Sequence, residues 1–334
     1  MNKNKVNNYN FIEVCAGCGG LSSGLIKTGM IPILLNEINN DCCNTLKLNH
    51  PNINIEKCSM LDLDLTPYKN KVDLLTGGVP CQSFSQAGMR KGLDDDRGDL
   101  MIKFIEIIKE IQPKIFMIEN VKGLKTHNKG ETLNTILDKI NESNLYEVDH
   151  KILNAVDYDV PQKRERIIII GVLKKYNIKF KFPKKSNKII LLKDVLNNTP
   201  KSECAKYSDK KIELFKLIPQ GGCWVDLPID KQKEYLGKSY ESGGGKRGIL
   251  RKLSMMEPSL TLLCSPTQKQ TERCHPLELR PLSIAEYSRI QTFGDNYKFS
   301  GSISSKYKQI GNAVPVNLAY NLGLSIVKCL KKCK

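Results

Sequence analysis

The stretch FIEVCAGCGG, residues 11–20, decides how the chain begins to fold. Residues 11–15 have the β-branched and aromatic composition of a buried strand, and they run into a glycine-rich loop ahead of an apolar helix that starts at Leu21. A second predicted strand, residues 31–36, ends at Glu37. Strands and helices that alternate in this way are typical of a parallel sheet with helices packed on its faces.

The loop AGCGG is a candidate ligand site, because glycines let a ligand approach the backbone and leave helix N–H groups free to bind it. It departs from the dinucleotide-binding pattern, since Ser22 stands where G-x-G-x-x-G requires its last glycine. A tight structural turn would have the same composition. Glu37 favours the ligand site, because a carboxylate at the end of the second strand can accept hydrogen bonds from both ribose hydroxyls of a nucleoside-like ligand.

Short apolar runs continue this pattern through the first half of the chain. Residues 72–76 form a third run, which Gly77 and Gly78 end, and residues 115–118 and 167–172 predict two more buried strands. A helix with one apolar face is predicted between them, and that face consists of Leu100, Phe104, Ile107, Ile108 and Ile111. The expected fold class is therefore α/β with a mostly parallel sheet.

The second half of the chain is basic. The whole sequence has 52 Lys and Arg against 35 Asp and Glu, a formal net charge of +17. Residues 172–280 contain 23 basic and 11 acidic residues, so +12 of the total lies in this span. Such a balance favours a polyanionic partner, because each phosphate contact releases condensed counterions. Solubility of a lysine-rich protein is the alternative explanation.

Composition also narrows the cellular setting and the chemistry. The first ten residues lack the apolar region of a signal peptide, and no uninterrupted apolar run reaches the roughly 18 residues of a membrane span, so we expect a cytoplasmic protein without a membrane partner. The twelve cysteines are irregularly spaced. Cys15 and Cys18 form a C-x-x-C without a second pair at zinc-ribbon spacing, so no metal is expected.

The segment GGVPCQSFS, residues 77–85, carries the chemistry. It places Cys81 just after a predicted strand, at the edge of the sheet where α/β active sites lie. Pro80 restricts the loop, and the glycines beside it leave room for a flat substrate. A cysteine is usually a small core residue. In a loop of Gly, Pro and Ser, a nucleophile is the better interpretation.

This segment resembles the catalytic motif of the cytosine-5 methyltransferases, and other stretches resemble that family's motifs in the family's order. FIEVCAGCGG resembles the first cofactor motif, and IEN (residues 118–120) resembles the motif with the catalytic glutamate. The later matches are QKRER (residues 162–166), RPLSIAEYSRIQTF (from Arg280) and QIGNAVPVN (from Gln309). The resemblance implies a Rossmann-like domain dependent on S-adenosylmethionine, in a bacterial modification methylase that acts on DNA.

The resemblance also implies roles for four residues. Cys81 would add as a thiolate to C6 of cytosine and raise the electron density at C5, which then takes the methyl group. Glu119 would hold or protonate N3, and Arg166, with Arg164 beside it, would bind O2 of the ring. The target base would be flipped out of the duplex into the pocket. From the residues alone, Glu119 could be a surface carboxylate and the arginines could form an ion-pair network or contact phosphates.

The cofactor residues that the resemblance implies come from the glycine loop, the second strand, the helix after Cys81 and the last motif: Gly17, Cys18, Gly19, Gly20, Glu37, Leu100, Asn312 and Val314. The sequence departs from the family at two positions. Cys15 stands where the family has an aromatic residue near the adenine, and Ser59 stands near the usual Asp. These departures bear on adenine binding and not on the identity of the cofactor.

We expect three regions: a catalytic and cofactor-binding domain (residues 1–172), a target recognition domain (173–279) and a segment that returns to the catalytic domain (280–334). The DNA contacts expected are Ser83, Ser85, Lys246, Arg247, Thr261, Gln268 and Arg273. Thr261 belongs to a Thr-Leu element similar to the family's, whereas Gln268 and Arg273 have side chains that read base edges. The partner expected is double-stranded DNA, bound by a monomer. A cognate restriction endonuclease would not be physically required.

Two other functions remain open at this point. One is a tRNA cytosine-5 methyltransferase, because a branch of the family modifies RNA. The long basic insertion favours duplex DNA, and the Cys-Phe-Thr signature expected of that branch is not apparent. The other is an inert DNA-binding relative, against which Cys81, Glu119 and Arg166 argue.

Overall fold

The computed structural model describes residues 8–80, 96–241 and 248–333, with the backbone alone for residues 96–99. Two compact units share the chain. Unit 1 comprises Met1–Asn154, Glu165–Lys185 and Val314–Lys334, and unit 2 comprises Ala155–Arg164 and Ser186–Ala313.

Unit 1 is built on a seven-stranded sheet in the order β3-β2-β1-β4-β5-β8-β6. The strands are β1 (Asn10–Val14), β2 (Ile31–Asn36), β3 (Ile55–Glu56), β4 (Leu74–Gly77), β5 (Ile115–Val121), β6 (Tyr146–Asn154) and β8 (Glu165–Leu173). Strands β3, β2, β1, β4 and β5 pair in parallel with their neighbours in this order, whereas β8 is antiparallel to both β5 and β6. The predicted α/β class and the five predicted strands are confirmed, and β5 continues past its predicted end through Glu119 and Asn120.

The helices of unit 1 are α1 (Gly20–Lys27), α2 (Asn40–Asn49), α3 (Asp96–Ile111), α4 (Glu131–Asn141) and α10 (Val316–Leu330). The apolar face predicted for α3 packs into the core, where Phe104, Ile107, Ile108 and Ile111 are buried. Helices α1 and α10 lie against each other so closely that a Cβ on Gly24 would stand 2.3 Å from the Cβ of Ala319. Glycine at position 24 therefore sets the distance between these helices.

Unit 2 contains the short strands β7 (Gln162–Lys163) and β9 (Ser259–Leu260), which pair in parallel. Its helices are α5 (Leu192–Leu196), α6 (Asp209–Lys216), α7 (Ile229–Leu236), α8 (Ile284–Ile290) and α9 (Ile303–Asn312). Two apolar clusters hold it together. One forms around Phe215 and Leu250, and the other joins Leu192 and Leu262 to residues of α8 and α9, including Tyr287.

The compact units divide at other points than the boundaries expected from the sequence. Residues 280–313 share an apolar cluster with residues 192–262, so α8 and α9 belong to unit 2. Only the stretch from Val314 onward lies in unit 1, and residues 173–185 also lie there. The expected boundary at 279/280 therefore does not coincide with a boundary between compact units.

Helices α9 and α10 together, Ile303–Leu330, have the length and apolar composition of a membrane span. In their most apolar 18-residue stretch, however, 67% is buried inside the protein. A core helix of a globular protein has the same properties.

Candidate active site

Glu37 and the glycine loop meet at the carboxyl ends of β1 and β2. The Glu37 carboxylate accepts hydrogen bonds from Gly17 N (2.7 Å) and Asn39 N (2.8 Å), one on each oxygen. Gly17 and Gly19 have φ values of +56° and +84°, which glycine adopts without strain, and a Cβ on Gly17 would meet open space. The backbone thus fixes the carboxylate beside a loop that leaves room for a ligand. Each carboxylate oxygen retains a second acceptor position.

Buried polar atoms gather next to this loop. Glu13 and Thr76 are paired in register on β1 and β4, and Ser22 lies in the first turns of α1. Glu13 Oε2, Thr76 Oγ1 and Ser22 Oγ are buried without a hydrogen-bond partner among the residues that the structure describes. Burial raises the pKa of Glu13 to about 8, with Ser22 opposing the shift and the Glu37 and Glu119 charges adding to it. Unpartnered buried groups of this kind suit a polar ligand that supplies the missing hydrogen bonds.

The thiols of the loop are poor nucleophiles. Burial, followed by the charges of Glu37 and Glu13, raises the pKa of Cys15 to about 12, and burial raises the pKa of Cys18 well above its ordinary value. Both therefore remain protonated near neutral pH. Cys15 has a φ of +51°, and Ser59 accepts a hydrogen bond from Leu61 N at the start of a short helical turn.

Glu119 and Arg166 form a buried ion pair on adjacent strands. Glu119 lies on β5 and Arg166 on β8, and the distance from Arg166 Nε to Glu119 Oε1 is 2.9 Å. Their side chains are only 10% and 13% exposed, respectively. Burial lowers the pKa of Arg166, whereas the Glu119 charge opposes that shift. The structure thus brings together two of the residues that the sequence assigns to the target ring.

Asn120 fixes the start of the loop that leads to Cys81. Its Nδ2 donates to the carbonyl of Val79 (2.9 Å), and its Oδ1 accepts from Val121 N. A Cβ on Gly78 would lie 3.2 Å from Glu119 Oε2, so the same loop runs against the glutamate. No role was predicted for Asn120. Its place directly after Glu119 was the signal available.

Five predicted residues lie outside the part of the chain that the structure describes. Cys81, Ser83 and Ser85 fall in the gap before α3, and Lys246 and Arg247 fall in the gap within unit 2. The structure describes the remaining predicted residues.

Arg164 belongs to unit 2 and contacts its backbone. The side chain is 1% exposed, and its guanidinium donates to the carbonyls of Leu262 (3.2 Å), Gly311 (2.9 Å) and Asn312 (3.4 Å). Gln162 adds a bond from Leu262 N to its Oε1 and one from its Nε2 to Gln291 Oε1. Thr261 Oγ1 donates to the carbonyl of Lys163 (2.8 Å). These contacts favour a role for Arg164 in positioning the Thr261–Leu262 segment.

The other predicted cofactor and DNA residues have mixed surroundings. Leu100 is partly buried against the core of unit 1, and Val314 is buried. Asn312 is exposed and accepts a hydrogen bond from Cys264 Sγ (2.9 Å). Gln268 is exposed.

Arg273 does not match its expected place on the surface. It is 7% exposed, and its Nη1 donates to the carbonyl of Glu272. The sequence alone did not predict this burial.

Within residues 8–80, 96–241 and 248–333, no three His, Cys, Asp or Glu side chains gather as a metal site would require.

Comparison with known proteins agrees with this arrangement. A sequence profile of the C-5 cytosine-specific DNA methylase family matches residues 9–328. Type II methyltransferase M.Eco47II of Escherichia coli is 49% identical over 98% of this chain and 80% of its own length, and type II methyltransferase M.Sau96I of Staphylococcus aureus is 47% identical over 99% and 78%. Among solved structures, Spodoptera frugiperda DNMT2 superposes with a TM-score of 0.70 at 17% identity, over 96% of this chain and all of that one. The chain belongs to the C-5 cytosine-specific DNA methylase family.

Proposed function

We propose that this chain methylates C5 of cytosine at a specific site in double-stranded DNA, with S-adenosylmethionine as the methyl donor, as the modification enzyme of a type II restriction-modification system. The Glu119–Arg166 ion pair beside the anchored start of the Cys81 loop is the observation that carries the proposal. The family description, C-5 cytosine-specific DNA methylase, supports DNA as the substrate, and the relatives' names, type II methyltransferase, support the modification role. The enzyme would act in the cytoplasm as a monomer, without physical need of an endonuclease.

The residues around the glycine loop fit S-adenosylmethionine. Glu37 retains acceptor capacity for ribose hydroxyls, and the buried oxygens of Glu13, Ser22 and Thr76 need polar partners. The residues that would hold the cofactor are Gly17, Cys18, Gly19, Gly20, Glu37, Leu100, Asn312 and Val314. When bound, it supplies an electrophilic methyl group. Gly17 leaves the open space that the cofactor's approach to the backbone requires.

Cys81 would supply the nucleophile. Its thiolate forms a bond to C6 of the flipped cytosine, and the ring electrons move toward N3 and C5. Glu119 holds a proton at N3, which stabilises the charge that develops on the ring. Arg166 donates to O2, and its ion pair with Glu119 keeps both groups oriented. After C5 has gained the methyl group, a water molecule or hydroxide takes the C5 proton, the electrons of that C–H bond re-form the C5–C6 double bond, and the C6–S bond breaks to release the Cys81 thiolate.

A covalent trap tests this chemistry. A duplex with 5-fluorocytosine at the target should form a denaturation-resistant complex in the presence of cofactor, because fluorine cannot leave as a proton does. Cys81→Ser should lose both the trap and turnover, whereas Cys204→Ser, a half-buried cysteine of unit 2, should keep them. Trapping by the Cys81→Ser variant at the wild-type level would overturn the assignment of the nucleophile. Methyl transfer to total tRNA but not to duplex DNA would favour the RNA-modifying alternative instead.

A further inference from the structure

Arg251 and Arg273 lie side by side within unit 2. Lys252 and Cys274 form a parallel bridge, in which Cys274 N donates to Arg251 O (2.9 Å) and Leu253 N to Cys274 O (3.0 Å). Arg251 and Arg273 each precede a bridged residue, so the register sets them next to each other on the same face of the two segments. Arg251 and Arg273 are therefore neighbours across this bridge, with Arg273 buried and Arg251 partly exposed.

Tyr207 and Tyr287 complete the group. Both rings are buried, one in each apolar cluster of unit 2. The two phenols and Arg251 all act electrostatically on Arg273. Burial is the largest effect and lowers the pKa of Arg273, Tyr287 raises it, Arg251 lowers it further, and Tyr207 raises it. Tyr207 also packs in the same apolar cluster as Leu250 and Cys274, which adjoin Arg251 and Arg273 in the sequence. We call these four side chains the arginine–tyrosine cluster.

The cluster contains polar atoms that are buried but unpartnered. Arg251 Nε, Arg273 Nε and both phenol oxygens have no hydrogen-bond partner in the described parts of the chain. Arg273 is more than nine-tenths buried, as are both tyrosines, whereas part of Arg251 remains exposed. Leaving such donors unsatisfied is energetically unfavourable, and more so for charged groups. An arrangement of this kind indicates a ligand that accepts hydrogen bonds.

The carboxylates nearest in sequence to Arg273 already form ion pairs with other residues. Glu272 pairs with Lys211 and accepts from Leu250 N, and Glu278 and Glu286 both pair with Arg280. No described carboxylate forms an ion pair with Arg251 or Arg273. Buried charges are normally paired. The positive charge of this cluster therefore lacks an internal counter-ion among the described residues.

We propose that the arginine–tyrosine cluster binds a phosphodiester group of the DNA backbone. A guanine edge would satisfy donors but would leave two positive charges uncompensated, whereas a phosphate supplies both acceptors and the opposite charge. Two guanidinium groups and two phenols offer the donors that phosphate oxygens accept. The role deepens the proposed function, since such a contact positions the duplex without reading its sequence.

Binding to duplexes of randomised sequence tests the proposal through its salt dependence. Arg251→Gln and Arg273→Gln should each weaken binding about ten- to a hundred-fold and reduce the slope of log K against log salt by about one. The double variant should lose less binding free energy than the sum of the losses in the two single variants, because both residues hold the same phosphate. Arg251→Lys should retain the slope. Arg280→Gln is the matched control, because Glu278 and Glu286 already neutralise its charge, and its slope should equal that of wild type.

A second measurement needs neither DNA nor activity. At constant ionic strength, inorganic phosphate should raise the melting temperature of the wild-type chain more than that of Arg251→Gln. This comparison remains informative if Arg273→Gln fails to fold. Equal shifts in the two proteins, together with an unchanged salt slope, would overturn the proposal.

The remaining outcomes separate this proposal from the proposed function. A change in site preference at one base, seen by bisulfite sequencing of methylated randomised duplexes, would identify a guanine reader and reject the phosphate. If Arg251→Gln and Arg273→Gln bind and methylate DNA as the wild type does, the phosphate role of the cluster is rejected and the proposed function stands. A chain that binds DNA through the cluster but transfers no methyl group would reject only the proposed function.

Discussion

The glutamate of the Glu119–Arg166 pair should control the chemical step. Glu119→Gln removes the proton that the carboxyl holds at N3, so we expect kcat to fall about 10²- to 10⁴-fold, with cofactor affinity nearly unchanged. Glu165→Gln is the matched control, because Glu165 lies on the adjacent strand but pairs with Lys122 at the surface. Steady-state methylation of duplex DNA and calorimetric cofactor titration check the two expectations. A Glu119→Gln variant with wild-type kcat would remove this residue from the mechanism.

Glu13 should make the cofactor-free protein less stable as the pH rises. A folded-state pKa of about 8, against an ordinary value of 4.5, means that the folded protein binds this proton more tightly than the unfolded chain does. The contribution of Glu13 to the free energy of unfolding is therefore most favourable below pH 4.5 and is lost as the pH rises to about 8. The total loss over this range is roughly 4 to 5 kcal/mol. Glu13→Gln should flatten this slope. Parallel pH profiles of urea unfolding for the two proteins measure the difference, and identical slopes would show that Glu13 does not titrate in this range.

Individual site residues were predictable where a short motif coincides with a strand end. Glu37 and Glu119 follow apolar runs directly, and the structure places Glu37 just after β2 and Glu119 within the last three residues of β5. Arg273 shows the limit of this reasoning. Its polar neighbours in TQKQTER indicated a surface loop, but its side chain is buried and acts electrostatically with Tyr207 and Tyr287, residues outside that stretch. Arg164 and Asn120 likewise acquire their roles from backbone carbonyls that no motif reveals.

At the scale of elements, strands with nearly continuous apolar sequence were the easiest to predict. Residues 31–36 and 167–172 are nearly continuous apolar runs, and both are strands. Strand β6 was missed because it is the edge strand of the sheet and alternates polar with apolar residues. Its antiparallel pairing with β8 joins residues that no local pattern connects.

The contact of α1 with α10 gives a stability prediction. In an isolated helix, Gly24→Ala would be favourable by about 1 kcal/mol. Here the new Cβ would stand 2.3 Å from Ala319 Cβ and 2.6 Å from the carbonyl of Val316, so we expect a loss of about 1–3 kcal/mol from overpacking. Gly294→Ala is the control, because nothing lies within 4 Å of its Cβ position and stability should be unchanged or slightly higher. Urea unfolding compares the two variants. A stabilised Gly24→Ala protein would mean that the helices can separate without cost.

At the scale of the whole molecule, the sequence indicated a basic region with a function separate from catalysis, but it did not indicate where the compact unit containing that region begins and ends. The span from 174 to 279 has weak periodicity, so the elements that complete its core could not be recognised from local patterns. Helices α8 and α9 supply that completion. Tyr307 Oη accepts from Ala205 N (3.0 Å), Ile284 N donates to Glu203 O (2.9 Å), and Arg289 donates to the carbonyl of Val195 (3.1 Å).

These contacts predict where a specificity exchange will succeed. A chimera that takes residues 155–164 and 186–313 from a relative with another recognition site exchanges all of unit 2, including both of its apolar clusters. We expect it to melt near the parent temperature, to keep its affinity for the cofactor analogue sinefungin, and to methylate the donor's site. A chimera that exchanges only residues 173–279 separates Leu192 and Leu262 from Tyr287 and Tyr307, so it should melt several degrees lower. Thermal unfolding and bisulfite sequencing of randomised duplexes distinguish the two designs. Equal melting temperatures would show that the shared cluster tolerates foreign partners, and retention of the parent's site by the first chimera would place specificity outside unit 2.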